Sequence, residues 1–198
     1  MPSSPADLRQ KWDRIYRDAD GILPQPAQVL SDFQHLLPSN GSALDLASGL
    51  GGNALFLAKR GLETHAFDIS GEAIARLNAT ATQLGLGIRT EIRDVTASPP
   101  PPETYDVIVV SRFLERALAP ALVAALKPLG LLFYQTFTRE KTTDGGPGNP
   151  AYLLETNELL RMFGELRVVA YREEGRIGDM ALGLRNEAYW VGQKAAFF

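Results

Sequence analysis

Apolar residues change their spacing along this chain at regular intervals. Over residues 4–18, Leu8, Trp12, Ile15 and Tyr16 recur at helical spacing, which predicts a short amphipathic helix. Pro24 and Pro26 break the pattern, and Pro26 suits the first turn of a second helix over 27–37, ended by 38–41. An alternating rhythm then begins. Short strand-like runs at 43–47, 63–67, 88–92, 106–110 and 131–137 enclose helical stretches at 51–60, 70–84 and 120–127. Gly61 and Gly85 close the first two of these helices, and Ser70 is a natural N-cap. The proline run within 98–102 lacks backbone donors and reads as a surface connection, while Pro128 and Gly130 read as a turn. After the fifth strand comes a Gly/Pro-rich stretch, 138–150, of the length that often serves as a functional lid. A helix capped by Thr156 and running through Phe163 follows, then two strands at 166–171 and 187–191 with 175–183 between them. No long crossover helix separates that last pair, so it reads as an antiparallel hairpin at the sheet edge.

Strands alternating with helices at this spacing predict an α/β fold: a doubly wound, seven-stranded, mostly parallel sheet with a C-terminal antiparallel hairpin strand. At 198 residues the chain suits one domain, 1–198, with 1–38 as an N-terminal helical cap segment. A net charge of −3 gives no reason to expect binding to a nucleic-acid backbone. The absence of cysteine excludes a disulfide framework, a thiolate zinc site and a cysteine nucleophile, and it fits a reducing compartment. The start is polar, unlike a signal peptide, and no run approaches the ~20 apolar residues of a membrane span. The expectation is a soluble cytoplasmic protein with a small-molecule substrate and neither nucleic-acid nor membrane partner. His35 and His65 stand apart from carboxylates and from each other, so they read as structural and no metal site is expected.

Candidate chemistry gathers at the ends of the predicted strands. Residues 45–53, Asp-Leu-Ala-Ser-Gly-Leu-Gly-Gly-Asn, form a glycine-rich loop between the first strand and its helix. Gly49 and Gly51 let the backbone approach a ligand, and the following helix offers free N–H groups. Asp68 ends the second strand, 19 positions after Gly49, where a carboxylate accepts from ribose hydroxyls, and Ile69 beside it can pack on an adenine face. Asp94 follows the third strand and can accept from an adenine amino group, or serve as a plain turn residue. Ser111 and Arg112 follow the fourth strand at the mouth of the same crevice. The pattern Gly49-x-Gly51-x-x-Ala54 also satisfies a dinucleotide fingerprint, so an NAD(P)-binding oxidoreductase is the competing reading. Trp12 and Tyr16, spaced i and i+4, suit core packing as well as a lid.

With these residues in register, the chain resembles the class I methyltransferases dependent on S-adenosylmethionine (SAM), from about residue 32 onward. Within that family it is similar to the small tellurite-resistance-type members. The segments behind the closer likeness are 11–16 (Lys-Trp-Asp-Arg-Ile-Tyr), 45–53, 111–115 (Ser-Arg-Phe-Leu-Glu), 135–138 and 149–155. The resemblance implies SAM as cofactor, with Asp45, the backbone of Gly49 and Gly51, and the rest of the loop including Asn53 holding its methionine end. It implies Asp68 at the ribose, Ile69 and Val95 around adenine, Asp94 at the adenine amino group, Ser111 near the sulfonium, and Trp12 and Tyr16 folding over the cofactor. One position departs: Ala47 stands where the family has glycine. Methyl transfer needs positioning rather than covalent chemistry from the protein, so no residue is assigned as catalytic. Ser111, Arg112 and Tyr134 are the candidates for contact with an unidentified, small acceptor. A SAM-binding protein without turnover is the non-enzymatic alternative.

Overall fold

The computed structural model describes residues 5–19 and 24–196. Its centre is strand β4 (Tyr105–Ser111), in which Val107, Ile108, Val109 and Val110 are wholly buried, as a β-branched strand covered on both faces must be. β1 (Ser42–Leu46), β2 (Glu63–Asp68) and β3 (Ile88–Ile92) lie to one side of it and β5 (Leu126–Phe137) to the other, all parallel. The full order is β3-β2-β1-β4-β5-β7-β6, where β6 is Arg167–Arg172 and β7 is Glu187–Gln193. β7 runs antiparallel to both neighbours and is inserted between β5 and β6. The terminal hairpin is therefore at the edge as expected, but its second strand is the inner one. This suits the wholly apolar Ala188–Val191 run, since β6 leaves Val168 and Val169 exposed.

Helices cover both faces. α2 (Gln28–Asp32), α3 (Gly52–Lys59) and α4 (Gly71–Gln83) pack on the face carrying Ala43, Ala66, Val107 and Val109. α5 (Ala119–Ala125) and α6 (Glu158–Met162) pack on the other, around Leu44, Leu46, Ile108, Tyr134 and Trp190. α1 (Pro5–Arg17) lies against α4, outside the sheet.

Three boundaries differ from the sequence reading. The second helix stops after one turn and continues as a 3-10 turn, Gln34–Leu36. The helix after β4 ends at Ala125, and Pro128 and Gly130 lie inside β5 as an irregularity, with Leu129 in the left-handed region at φ 65°. The freed Leu129 N–H donates to the Lys194 carbonyl at 3.1 Å, so the break sits where another strand end can satisfy it. α6 is entered through Asn157 at φ 60° rather than through Thr156. The 138–150 stretch is fastened: the Asn186 side chain accepts from the Thr142 and Thr143 N–H groups at 2.7 and 3.3 Å.

Candidate cofactor site

The carboxyl ends of β1, β2 and β4 meet at one edge of the sheet, and the glycine-rich loop turns there. Ala47, Gly49 and Gly51 all have left-handed backbones, at φ 56°, 52° and 78°. Each glycine also makes room. A Cβ on Gly49 would lie 2.7 Å from the Tyr16 hydroxyl, and one on Gly51 would collide with Leu77 of α4. Ala47 holds its strained conformation while its methyl packs against the core. Left-handed geometry costs an L-residue about 1–2 kcal/mol. Ala47→Gly removes that strain and adds about 0.4–1 kcal/mol of unfolded-chain entropy, so we expect a gain of up to about 1 kcal/mol in a denaturant melt. A clear loss of stability would mean that the methyl contact outweighs the strain.

Asp68 is 5% exposed and ties the loop to β2. One of its oxygens accepts from Gly49 N–H at 2.7 Å and the other from Ser70 N–H at 2.8 Å. Burial raises its pKa despite these bonds. Ser70 caps α4 by accepting from Ala73 N–H at 3.2 Å, and its hydroxyl donates to Asp13 at 2.7 Å. Asp13 also accepts from Glu72 N–H at 3.3 Å, so α1 delivers a carboxylate to the start of α4, where the helix dipole favours it. The Ser70 hydroxyl is the main reason its pKa falls. One turn on, Tyr16 stacks on Trp12 with ring centroids 5.7 Å apart and lies over Gly49. Burial, followed by the charges of Asp68 and Asp45, raises the pKa of its phenol. α1 thus covers the loop.

Asp45 is wholly buried on the α3 side of β1. It accepts from the Asn53 side-chain amide at 3.1 Å and from Ala54 N–H at 3.0 Å, the latter a free donor of the first turn of α3. Burial pushes its pKa to about 7. The Asn53 amide also donates to Ser111 Oγ at 3.0 Å, and its oxygen accepts from Ala27 N–H at 2.8 Å. One side chain therefore links β1, β4 and the approach to α2. A second link runs parallel to it. Arg112, at φ 53°, donates from Nε to Glu187 at 2.9 Å. Glu187 accepts from the Gln135 amide, and Gln135 accepts from Val29 N–H at 2.8 Å. Because β7 runs backwards, its first residue, Glu187, reaches the same end of the sheet as the last residues of β4 and β5. Glu187 was not anticipated. Its signal in the sequence is a lone charge heading an otherwise apolar strand.

Other expected site residues lie differently. Tyr134 is 1% exposed and its hydroxyl donates to the Phe113 carbonyl at 2.8 Å. It packs on Phe163, with ring centroids 5.4 Å apart. Through that bond it braces the 111–114 turn. Asp94 shapes its own turn, accepting through Oδ1 from Thr96 N–H, Thr96 Oγ1 and Ala97 N–H at 3.0, 2.6 and 3.4 Å. The Thr96 hydroxyl is the main cause of its lowered pKa. Val95 is buried in the core beside Phe67, and Ile69 is half-buried next to Asp68. His65 meets the Tyr105 hydroxyl at 3.0 Å, a structural contact. Among the described residues no three His, Asp or Glu side chains gather as a metal would need.

Residues 43–130, the stretch carrying the loop, Asp68, Asp94 and Ser111, match the model of a methyltransferase domain. The probable SAM-dependent methyltransferase TehB of Haemophilus influenzae is 29% identical over 136 residues. Over this stretch the chain is similar to SAM-dependent methyltransferases. That alignment covers 66% of this chain and 47% of its relative, so the chain spans about half the length of the curated relatives it matches. The crystal structure of TehB from H. influenzae superposes with a TM-score of 0.68 at 22% identity, over 92% of this chain and 67% of that one. The [4+2]-cyclase SpnF superposes at 0.76 with 15% identity, over 99% of this chain and 97% of that one. At these identities the superpositions show a common fold. The antiparallel β7 of this chain also separates it from the six-stranded parallel order 3-2-1-4-5-6 of dinucleotide-binding domains. Among the described residues, no helix is long and apolar enough to cross a membrane.

Proposed function

We propose that this chain binds SAM where β1, β2 and β4 end and transfers its methyl group to a small-molecule acceptor in the cytoplasm. The observation that carries the reading is the Asp68 carboxylate, buried at the end of β2 and bound to the glycine-rich loop. An ionised carboxylate offers about four acceptor positions. Two are taken by N–H groups, so two remain for the hydroxyls of a ribose. The loop suits a ligand as well: Ser48 Oγ is buried there and finds no hydrogen-bond partner among the described residues.

SAM supplies a sulfonium that makes its methyl group electrophilic. The residues of the chain bind, orient and exclude water. Asp45 and Asn53 fix the first turn of α3 beside the loop. Ile69 and Val95 offer apolar surface to an adenine, and Asp94 retains Oδ2 for its amino group. Tyr16 and Trp12 shield the loop from solvent. Ser111, held by Asn53, stands at the exit of β4 with Arg112. A net charge of −3 favours a small acceptor over a nucleic acid, and the lack of cysteine suits a reducing compartment.

Titration calorimetry tests the reading. SAM and its demethylated product, S-adenosylhomocysteine, should bind in the low-micromolar range, and NAD should give no heat. Heat with NAD alone would replace the reading by the dinucleotide one. Turnover against small thiols, amines and acids separates an enzyme from a SAM-binding protein.

A further inference from the structure

We propose that the cavity framed by residues 141–148 and Arg176 is the acceptor site, and that its ligand is a small organic anion. The proposal rests on the methyltransferase reading above. The cavity is an open surface cleft of about 500 Å³ lined by Lys141, Thr142, Thr143, Asp144, Gly148 and Arg176. That volume lies within the roughly 300–1,000 Å³ of small-molecule sites, well above the needs of a lone inorganic ion.

The lining sets two cations against one carboxylate. Both cations are held by carbonyl groups: Lys141 Nζ donates to Pro147 O at 2.6 Å, and Arg176 Nε donates to Lys141 O at 2.9 Å. Neither forms an ion pair among the described residues, so with Asp144 as the one carboxylate of the lining a net positive charge remains. The Arg176 terminal nitrogens remain free for a bidentate contact with a carboxylate or a phosphate. Thr142 and Thr143 add hydroxyls beside them. A cation ligand would meet two like charges there, which excludes it.

The frame is preformed. Asn186, at φ 62°, accepts from Thr142 N–H and Oγ1 and from Thr143 N–H, and donates to Thr143 Oγ1 at 2.6 Å. Gly146 has a left-handed backbone, and a Cβ there would meet the Phe137 ring at 2.5 Å. An anion therefore finds an ordered loop and bears little of the cost of ordering it.

The frame also stands at the cleft end of the sheet. Thr138, which follows β5 directly, donates its N–H to Asn186 O at 2.9 Å. The next residue is Glu187, whose carboxylate holds Arg112 at the exit of β4. Two consecutive residues thus carry the cavity on one side and the strand-four exit on the other.

The test uses ligand-observed NMR on the full chain with benzoate and 3-phosphoglycerate, with benzamide and glycerol as uncharged controls. S-adenosylhomocysteine affinity is measured in parallel. At least one anion should bind at millimolar or lower concentration and neither control should. Carboxylate and phosphate sources are distinguished by which anion binds. Arg176→Gln and Lys141→Gln should each weaken that binding at least tenfold and leave S-adenosylhomocysteine affinity unchanged. Both side chains sit in surface loops, so either variant serves if the other fails to fold. Absence of binding by both anions, or equal binding by the variants, would overturn the proposal. Failure of S-adenosylhomocysteine to bind the unaltered chain would overturn the methyltransferase reading instead.

Discussion

Asp68→Ala should reduce S-adenosylhomocysteine affinity by at least a hundredfold. Hydrogen bonds to a charged group contribute about 1.5–3 kcal/mol each. Two ribose hydroxyls losing such an acceptor lose about 3–6 kcal/mol, which is about two to four powers of ten in affinity. The substitution also strips the Gly49 and Ser70 N–H groups of their buried acceptor, so the loop itself loosens. Asp68→Asn separates the two effects. Its amide oxygen still serves one of the two N–H groups, and the folded loop is kept in a shape close to the original. The NH2 group of Asn faces the other N–H, so we expect a weakening of about tenfold or more for Asn, with a melting temperature between those of the Ala variant and the unaltered chain. Calorimetry together with circular dichroism reads both quantities. Unaltered affinity in the Asn and Ala variants would remove Asp68 from the site.

The second large effect is a pH dependence. Burial raises the Asp45 carboxyl to about 7, against about 3.9 in an unfolded chain. A raised pKa means that the folded state holds the proton more tightly. The stabilisation is therefore full below pH ~4 and is lost as pH rises to ~7, above which the curve flattens. At about 1.36 kcal/mol per pH unit, the loss over that window is on the order of 4 kcal/mol. Asp68 is raised by burial too and acts in the same direction. His65, lowered by burial, acts against them near its ordinary value. Asp13, Asp94, Asp106, Glu158 and Glu174 lie below their ordinary values, so their window is below pH ~4. Denaturant melts of the ligand-free protein from pH 5 to 8 should show the decline, and Asp45→Asn should flatten most of it. Parallel slopes in the two proteins would mean that Asp45 is ionised throughout. A cationic ligand beside Asp45 draws its pKa back down, so SAM affinity should rise over the same range.

Much of the sheet was legible because its strands are short apolar runs closed by glycine and proline. The positions of Asp68 and Ser111 followed from strand ends alone. What escaped was set by tertiary partners. Pro128 reads locally as a turn, yet the Lys194 carbonyl lets the strand continue through the irregularity at Leu129. Tyr134 alternates with Gln135 on β5, and only the packing of Phe163 and Trp190 decides that the tyrosine faces the core. Glu187 acquires its place in the site from the reversed direction of β7, which hydrophobic spacing does not encode. Asp13 does so from the docking of α1 on α4, across 57 positions from Ser70.

The reversal of β7 has a consequence for how such a chain can diversify. A parallel strand presents its last residues to the cleft, so altering them disturbs the turn into the next helix. A reversed strand presents its first residue, which is preceded by a free-running loop. Insertions or exchanges around 175–186 can thus reshape one wall of the cleft while the stretch 43–112 stays as it is. Heredity can keep the donor half fixed and let the other half wander.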